Sequence, residues 1–458
     1  MGGVGAPVYV AVLAYFAIVV ALFTTQAPRR AVLVSLLGGL LFLPVFDGRL
    51  QLAIIHTKVV LTEFVVLSAS LLFHLGHWRR VRISAWDLAA GAVCAIPFVA
   101  SLENERGAYE GLAAVFEASF TWGGAYALGR VYFCDVGALR DLARAVVAAG
   151  VVYVPFCWWE LRMSPQLHRL LYGYHQHSFL QHMRDAGFRP MVFMQHGLMV
   201  ATFMSTATLL AYWMWRSRDR RPIFGIPLGW TVALLGFTAV MCKSLAALIF
   251  LLVGVGVLEA SRRLRSPTLV VLLLAIAPAY CAVRISGWAA TPIVDLAYGL
   301  VSPSRAESLE FRIVNEDRLV ARAMERPWLG WGRGKASRVR DEDGRDIAVT
   351  DSLWILVLGA YGVVGLLALG STLLLPEVAL LRAFPRRLWS DPRLAPATAL
   401  AVALALWVLD DTLNAMVSPV FPLMAGALVA LAVSGPSALR SPRLVPGSGA
   451  LALTLRRG

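Results

Sequence analysis

The sequence predicts an all-α polytopic membrane protein with about 12–13 transmembrane helices. Hydrophobic residues make up 58% of the 458-residue chain, and charged residues only 15%. Apolar runs long enough to cross a hydrocarbon core of ~30 Å recur from one end of the chain to the other. Runs such as 31–46 and 245–260 are apolar on every face, whereas the strands of a membrane barrel alternate apolar and polar residues.

The basic clusters of the chain set the direction of each predicted helix. Five such clusters follow apolar segments, at 26–30, 77–82, 216–221, 261–265 and 384–393. The positive-inside rule places them in the cytoplasm. This orientation requires thirteen helices, near 7–25, 31–46, 52–75, 85–100, 113–133, 142–159, 191–215, 223–241, 244–260, 268–285, 351–383, 395–413 and 420–435. The segment 351–383 exceeds the ~20 residues of one span, so we expect a bend at Pro376.

Composition also narrows the function. The formal charge is +14, yet most of the excess lies beside apolar segments, so we expect no nucleic-acid partner. The five cysteines are scattered without CxxC spacing, which predicts neither a zinc site nor a disulfide framework. No basic residue precedes the first apolar run, which we interpret as a retained helix rather than a cleaved signal peptide.

We interpret residues 1–458 as a single integral membrane domain with two long outer loops, 160–190 and 286–350. The larger loop holds ten basic residues on the side where positive charge is normally scarce: Arg305, Arg312, Arg318, Arg322, Arg326, Arg333, Lys335, Arg338, Arg340 and Arg345. Such a set indicates an anionic ligand. Alternatively, the arginines pair with acidic residues of the same loop.

The candidate active-site segment of this loop is an amphipathic helix at 308–326, ended by Pro327. It places Arg312, Arg318 and Arg322 near one another along the helix. A guanidinium presents a planar fork that holds phosphate oxygens, so the expected ligand is a lipid diphosphate.

A glycine-rich strip, "PWLGWGRG" (327–334), follows the predicted helix. Its glycines permit a close backbone approach to a ligand, and an indole such as that of Trp331 suits a headgroup or a sugar face. Arg333 adds a cation to the strip. We therefore include Trp331 and Arg333 among the candidate substrate-binding residues.

Three segments occur in a defined order along the chain. The first is "GFRPMVFMQHGLMVATFM" (187–204), and the second is "CKSLAALIFLLVG" (242–254). In the third, Arg312 lies fifteen residues before Pro327, and the strip is followed by a helix opening "TDSLWILVLGAYGVVGLL" (350–367). Together they resemble the O-antigen ligase and Wzy-type polysaccharide polymerase superfamily, over roughly residues 120–435.

The resemblance implies glycosyl transfer on the outer face of a bacterial inner membrane. The donor would be an undecaprenyl-diphosphate-linked glycan, and the acceptor a sugar hydroxyl on a second glycan or lipid-linked glycan. Besides the lipid bilayer, the partners would include a chain-length regulator or export proteins, and no cofactor is expected. Arg312 matches the family's loop arginine, Arg189 and His196 match the outer mouth of its central helix, and Lys243 matches an outer turn.

The reaction needs charge stabilisation on the leaving diphosphate and a base for the acceptor hydroxyl. We assign the first to Arg312 with Arg189, assisted by Arg318, Arg322 or Lys243, and the second to Asp351. Alternatively, Asp351 is only the N-cap of the following helix. Many ligases of the family place a histidine at this position and an asparagine after it, so Asp351 and Ser352 favour a polymerase over a ligase.

Three alternatives stay open. Five of the eight histidines, His168, His175, His177, His182 and His196, fall within 29 residues and offer a zinc site. However, no HxxxH pair occurs, and 170–183 resembles a surface helix along the membrane, so we expect no metal. The other two alternatives are a lipid-linked oligosaccharide flippase and a non-catalytic subunit of a polysaccharide export system.

Overall fold

A computed structural model describes residues 5–46, 55–184, 187–219, 221–288, 291–300, 302–334, 336–349 and 352–439. Its helices are α1 (Ala6–Thr25), α2 (Pro28–Phe42), α3 (Lys58–Trp78), α4 (Leu88–Glu103), α5 (Gly107–Ala118), α6 (Gly124–Tyr132), α7 (Val136–Met163), α8 (Leu167–Tyr172), α9 (Gly197–Arg216), α10 (Leu228–Met241), α11 (Leu245–Leu264), α12 (Thr268–Ile285), α13 (Thr291–Leu300), α14 (Pro303–Met324), α15 (Leu353–Ala383), α16 (Ala395–Asp410) and α17 (Val420–Ser434). One antiparallel hairpin joins β1 (Met183–Arg184) and β2 (Gly187–Phe188). The predicted all-α class is confirmed.

Nine helices of the described ranges are long and apolar enough to cross a membrane. They are α1, α3, α4 with the turn before it, α7, α9, α11, α12, α15, and α17 with the turn after it. Helices α10 and α16 are apolar but shorter. The predicted segment 113–133 is divided, because a π-helical turn at Ser119–Gly123 separates α5 from α6. The chain is thus a multi-pass membrane protein.

The five basic clusters converge on one end of the helix bundle, which we call the basic face. Arg29, Arg80 and Arg82 line one cavity, so the clusters at 26–30 and 77–82 lie together. Arg218, Arg221 and Arg393 line a second cavity, which joins the clusters at 216–221 and 384–393. Glu259 pairs with both Arg216 and Arg262 and so joins 216–221 to 261–265. Clusters far apart in sequence therefore share one face, which agrees with their predicted location on one side of a membrane.

Helix α15 breaks at Gly362, a position that the sequence did not predict. Gly362 has φ 64° and ψ −166°, a conformation open only to glycine, whereas the helix continues through Pro376. The strip 327–334 fills the break: Val363 N–H donates to the Pro327 carbonyl at 2.7 Å, and Trp331 N–H donates to the Gly359 carbonyl at 2.9 Å. Backbone groups freed by the break therefore gain partners from the loop.

A buried polar cluster fastens α14 to α12 and α15. Arg284 of α12 pairs with Glu316 at 3.0 Å and with Asp317 at 2.5 Å. Glu316 also accepts from the hydroxyl of Tyr280 at 2.6 Å and from Nε1 of Trp354 at 2.9 Å. The side chains of Arg284 and Glu316 are 1% and 5% exposed. Glu316 and Asp317 of α14 thus neutralise an arginine of α12 rather than one of their own loop.

Replacing Glu316 with alanine should strongly destabilise this region. Breaking a buried ion pair costs about 3–5 kcal/mol. Without Glu316, Arg284 keeps only the exposed carboxylate of Asp317, and the buried donors of Tyr280 and Trp354 lose their acceptor. We expect a lower midpoint of thermal unfolding for the purified variant in detergent. Glu307, which is exposed on the same helix, provides the control as Glu307→Ala. Equal melting of both variants would show that the cluster does not stabilise the protein.

Candidate functional site

The segment 191–194, just before α9, is a buried loop held by polar side chains of two helices. Glu160 of α7 accepts from its first two backbone N–H groups, both at 2.7 Å. Lys58 of α3 donates to the carbonyl of Phe193 at 2.5 Å, and the hydroxyl of Tyr153 accepts from the N–H of Phe193 at 3.0 Å. Because side chains bond both N–H and carbonyl groups of its backbone, the loop holds the residues that flank it in fixed positions.

Arg189 precedes this loop and lies against the start of α9. It is 6% exposed, and its Nη2 donates to the carbonyl of Lys243 at 2.7 Å. A Cβ on Gly197 would lie only 2.5 Å from Cδ of Arg189, and a Cβ on Gly187 would lie 2.5 Å from Nζ of Lys243. The two glycines therefore make room for two cations, which explains the arginine and glycine pattern seen in the sequence.

His196 follows the loop and caps α9. Its Nδ1 accepts from the backbone N–H of Leu198 at 3.0 Å. Burial, and then the charges of His182, His177, Arg189 and Arg312, lower the pKa of His196 to about 3. The imidazole is therefore neutral near pH 7. Since Nδ1 accepts a hydrogen bond, the proton lies on Nε2, and His196 offers an N–H donor to a ligand.

Arg312 of α14 reaches the turn after α16. Its Nη1 donates to the carbonyl of Leu413 at 3.0 Å and to Oδ1 of Asn414 at 3.2 Å. Both acceptors are neutral, and no carboxylate of the described residues lies within ion-pair distance of Arg312. Its positive charge is therefore available to an anion.

A buried carboxylate orients the amide that Arg312 contacts. Nδ2 of Asn414 donates to Oδ1 of Asp410 at 3.0 Å, and Oγ1 of Thr202 donates to Oδ2 of Asp410 at 3.2 Å. Asp410 is 3% exposed. The first turns of α9, the middle of α14 and the end of α16 are thus joined through one hydrogen-bonded chain. Asn414 was not predicted from the sequence. The available signal was its position one helical turn, four residues, after Asp410.

Three histidines come together beside these cations. His177, His182 and His196 place one ligand nitrogen each within 4.8 Å of one another, so they are the candidate metal ligands of the described chain. Two features oppose a divalent cation. The Nδ1 lone pair of His196 already caps α9, and the charges of Arg189 and Arg312 lie close to its ring. Hydrogen bonding to an anionic ligand fits these surroundings better.

The predicted surface helix at 170–183 is wrong. Helix α8 ends at Tyr172, and a short 3-10 turn at Phe179–His182 leads into the hairpin of β1 and β2. The N–H of Arg189 donates to the carbonyl of His182 at 2.8 Å. A hairpin rather than a helix therefore brings His182 beside Arg189, which a helical interpretation of the segment could not foresee.

The other predicted binding residues are engaged elsewhere. Arg318 donates to the carbonyl of Ile347 at 3.2 Å, and Arg333 pairs with Glu117 at 2.6 Å. Arg322 lies 3.6 Å above the Trp331 ring and also pairs with Glu325. Within the described chain, none of these hydrogen bonds, ion pairs or ring contacts reaches Arg189, His196 or Arg312. Pairing within the loop, the alternative that we considered, applies to Arg322 and also to Arg338, Arg340 and Arg345, which pair with Asp346 or Asp343. Arg318 contacts a neutral carbonyl, and Arg333 pairs with a carboxylate outside the loop.

Asp351, the predicted base, lies outside the described residues. Ser352 occupies the N-cap position of α15, and its side chain makes no capping hydrogen bond there. The N–H of Leu353 donates to the carbonyls of Asp411 at 3.1 Å and Asn414 at 2.8 Å. Helix α15 therefore begins beside the turn that Arg312 contacts.

The site lies opposite the basic face. Helix α9 begins directly after its N-cap His196 and ends at Arg216, which belongs to the basic face. In comparisons with known proteins, no family model matches the chain and no curated protein matches its sequence. Chemically, two arginines and a neutral imidazole N–H at the end of a membrane helix bundle suit the binding of an anionic headgroup.

The stability of the protein should depend on pH through His196. Its folded-state pKa lies below the ordinary 6.5, so the unfolded chain takes up the proton first and stability falls as pH drops below 6.5 toward 3. The loss should be on the order of 2 kcal/mol at pH 5. His196→Asn keeps a capping side chain that does not titrate, so its midpoint of thermal unfolding should fall less between pH 7.5 and 5. The control is His77→Asn. If the midpoint of thermal unfolding falls with pH equally in His196→Asn, in the control and in the wild type, His196 does not cause the pH dependence.

Proposed function

We propose that the protein transfers a glycan from a lipid-linked diphosphate to a sugar hydroxyl, as a polysaccharide polymerase or an O-antigen ligase does. In this proposal the donor is an undecaprenyl-diphosphate-linked glycan, and the site lies on the periplasmic side of a bacterial inner membrane. The observation that carries the proposal is the convergence of Arg189, His196 and Arg312 at the end of the bundle opposite the basic face.

Departure of the diphosphate is the first step that these residues would assist. When the glycosidic carbon leaves the diphosphate, negative charge grows on the phosphate oxygens. The guanidinium of Arg312, whose hydrogen-bond acceptors in the described part of the chain are neutral, would hold those oxygens in its planar fork. Arg189 and the Nε2–H of His196 would add two fixed donors. These groups need no reorganisation as the charge develops.

Activation of the acceptor is the second step. The sugar hydroxyl attacks the anomeric carbon and loses its proton to a base. Asp351 stays the predicted base, because it directly precedes the N-cap of α15 and that helix begins at the Asn414 turn. Asp410 acts differently in this proposal: it orients Asn414 from a buried position and so positions Arg312.

A defined assay tests the proposal and separates its variants. Purified protein in nanodiscs is given a polyprenyl-diphosphate-linked oligosaccharide, and products are resolved on a gel. A ladder of multiples indicates a polymerase, and a single transfer to added lipid A core indicates a ligase. Movement of the lipid across liposomes without new product would indicate the flippase alternative. Absence of any new glycosidic bond with a panel of donors would refute the proposal.

Chelation should leave transfer unchanged, because the arginines and His196 supply the charge stabilisation. We expect the same product ladder after dialysis against EDTA and after addition of zinc. Metal content measured by plasma mass spectrometry checks the same point. The opposite result would be a stoichiometric metal that EDTA removes together with the activity and that the variant His182→Ala does not bind. That result would assign the histidine cluster to a metal.

A further inference from the structure

The largest cavity that we find in the described residues lies at the basic face, far from the site discussed above. Its volume is about 1210 Å³. The start of α2, the end of α3, the helices α6 and α7, the segment 222–224 and the end of α17 enclose it. The proposed glycosyl transfer makes no use of this cavity.

Positive charge dominates the cavity wall. Its titratable side chains are Arg29, Arg30, His77, Arg80, Arg82, Arg130, Arg144, Tyr132, Cys134 and a single carboxylate, Asp141. Three of the arginines are neutralised by carboxylates behind the wall: Arg29 by Asp135, Arg130 by Asp87 and Arg144 by Asp219. Within the described residues, no carboxylate lies within ion-pair distance of Arg30, Arg80 or Arg82.

The unneutralised arginines and an apolar wall lie in the same cavity. Arg30, Arg80 and Arg82 are exposed and line it. Apolar side chains complete the lining, namely Leu33, Val34, Val131, Ala145, Ala148, Ala430 and Val433. Helix α2 also begins there, at Pro28, so its unpaired N–H groups and positive dipole end add to the attraction for an anion. A cavity lined by both cationic and apolar groups suits an amphiphile.

We propose that this cavity binds a phosphate-bearing amphiphile, namely an anionic phospholipid, through Arg30, Arg80 and Arg82. The phosphate group is the recognised chemistry, since guanidinium forks hold its oxygens in charge-assisted hydrogen bonds. A free phosphate would bind the arginines in the same way but would leave the apolar wall exposed. A phospholipid would contact the arginines with its phosphate and the apolar wall with its acyl chains. This inference is independent of the proposed transferase activity.

Native mass spectrometry of the full chain in a neutral detergent tests the proposal. The probes are phosphatidylglycerol, phosphatidylcholine and inorganic pyrophosphate. We expect tight binding of phosphatidylglycerol to the wild type and an about tenfold weaker affinity for the variant Arg30→Gln/Arg80→Gln. The matched control is Arg263→Gln/Arg265→Gln, which removes two exposed charges of the basic face outside the cavity and should change the affinity less than about twofold.

Each outcome has a defined meaning. Selective loss of phosphatidylglycerol in the cavity variant, with unchanged melting of the protein, supports a lipid site. Pyrophosphate that binds equally well, with the same dependence on the variant, supports phosphate recognition without the lipid chains and overturns the amphiphile. Equal binding of phosphatidylcholine, or an equal loss in the control variant, shows only general attraction to the basic face and overturns the site.

Discussion

Glycan transfer by the Arg312→Ala variant should be about 10²–10³-fold slower than by the wild type, the loss expected when one preorganised donor to a developing oxyanion is removed. The fold should survive, because Arg312 is half-buried and its acceptors among the described residues are a carbonyl and an amide oxygen. Arg312→Lys keeps the charge but not the planar fork, so we expect an intermediate rate.

The measurement is the initial rate of product formation by purified variants at saturating donor. Arg338→Ala is the matched control, because Arg338 lies in the same outer loop but pairs with Asp346. Its rate should equal that of the wild type. If Arg312→Ala retains most of its activity while folding normally, the diphosphate does not depend on this guanidinium and the proposed mechanism fails.

The apolar pattern of the sequence predicted the helices well because membrane spans are decided locally, by length and hydropathy. The thirteen predicted segments all coincide with helical structure in the described ranges. The break in α15 at Gly362 was not predicted, for the opposite reason. It depends on the approach of the strip 327–334, which lies 28 or more residues earlier, whereas the local signal in this segment was Pro376.

The site was only partly predictable, because its members are brought together by contacts that have no local pattern. Arg189, His196 and Arg312 were chosen from the sequence, and the structure places both arginines close enough to His196 to lower its pKa. Arg322 and Trp331 were chosen on the same grounds, but they stack on each other within their loop. Helical spacing alone cannot tell an arginine that meets a carboxylate or an indole from one that meets neither.

The supports of the site were equally hidden from the sequence. Glu160 looked like one more polar residue near the end of an apolar helix, yet it fixes the loop between Arg189 and His196. Asn414 lies just beyond α16 and gives Arg312 its acceptor. Glu160 accepts from backbone N–H groups more than 30 residues away in sequence, and Asn414 accepts from a guanidinium 102 residues away. Buried polar groups in a membrane protein are costly, so their presence was itself a usable signal.

Asp351→Asn should lower the transfer rate by about 10²–10⁴-fold, the usual contribution of a positioned general base. Asparagine has the size and much of the hydrogen-bonding capacity of aspartate but accepts no proton at neutral pH. Because Ser352 is the N-cap of α15, the substitution should not act through helix stability. The expected change is therefore in kcat, with KM for the donor nearly unchanged.

Two further variants separate proton transfer from other roles of this position. Asp351→Glu retains a carboxylate and should recover part of the rate, whereas Ser352→Ala should lower the melting midpoint slightly and leave kcat near that of the wild type. If Asp351→Asn is as active as the wild type, the acceptor hydroxyl loses its proton to another group or after the diphosphate has departed. The role of Arg312 would stand in that case, because stabilising the leaving diphosphate does not require the base.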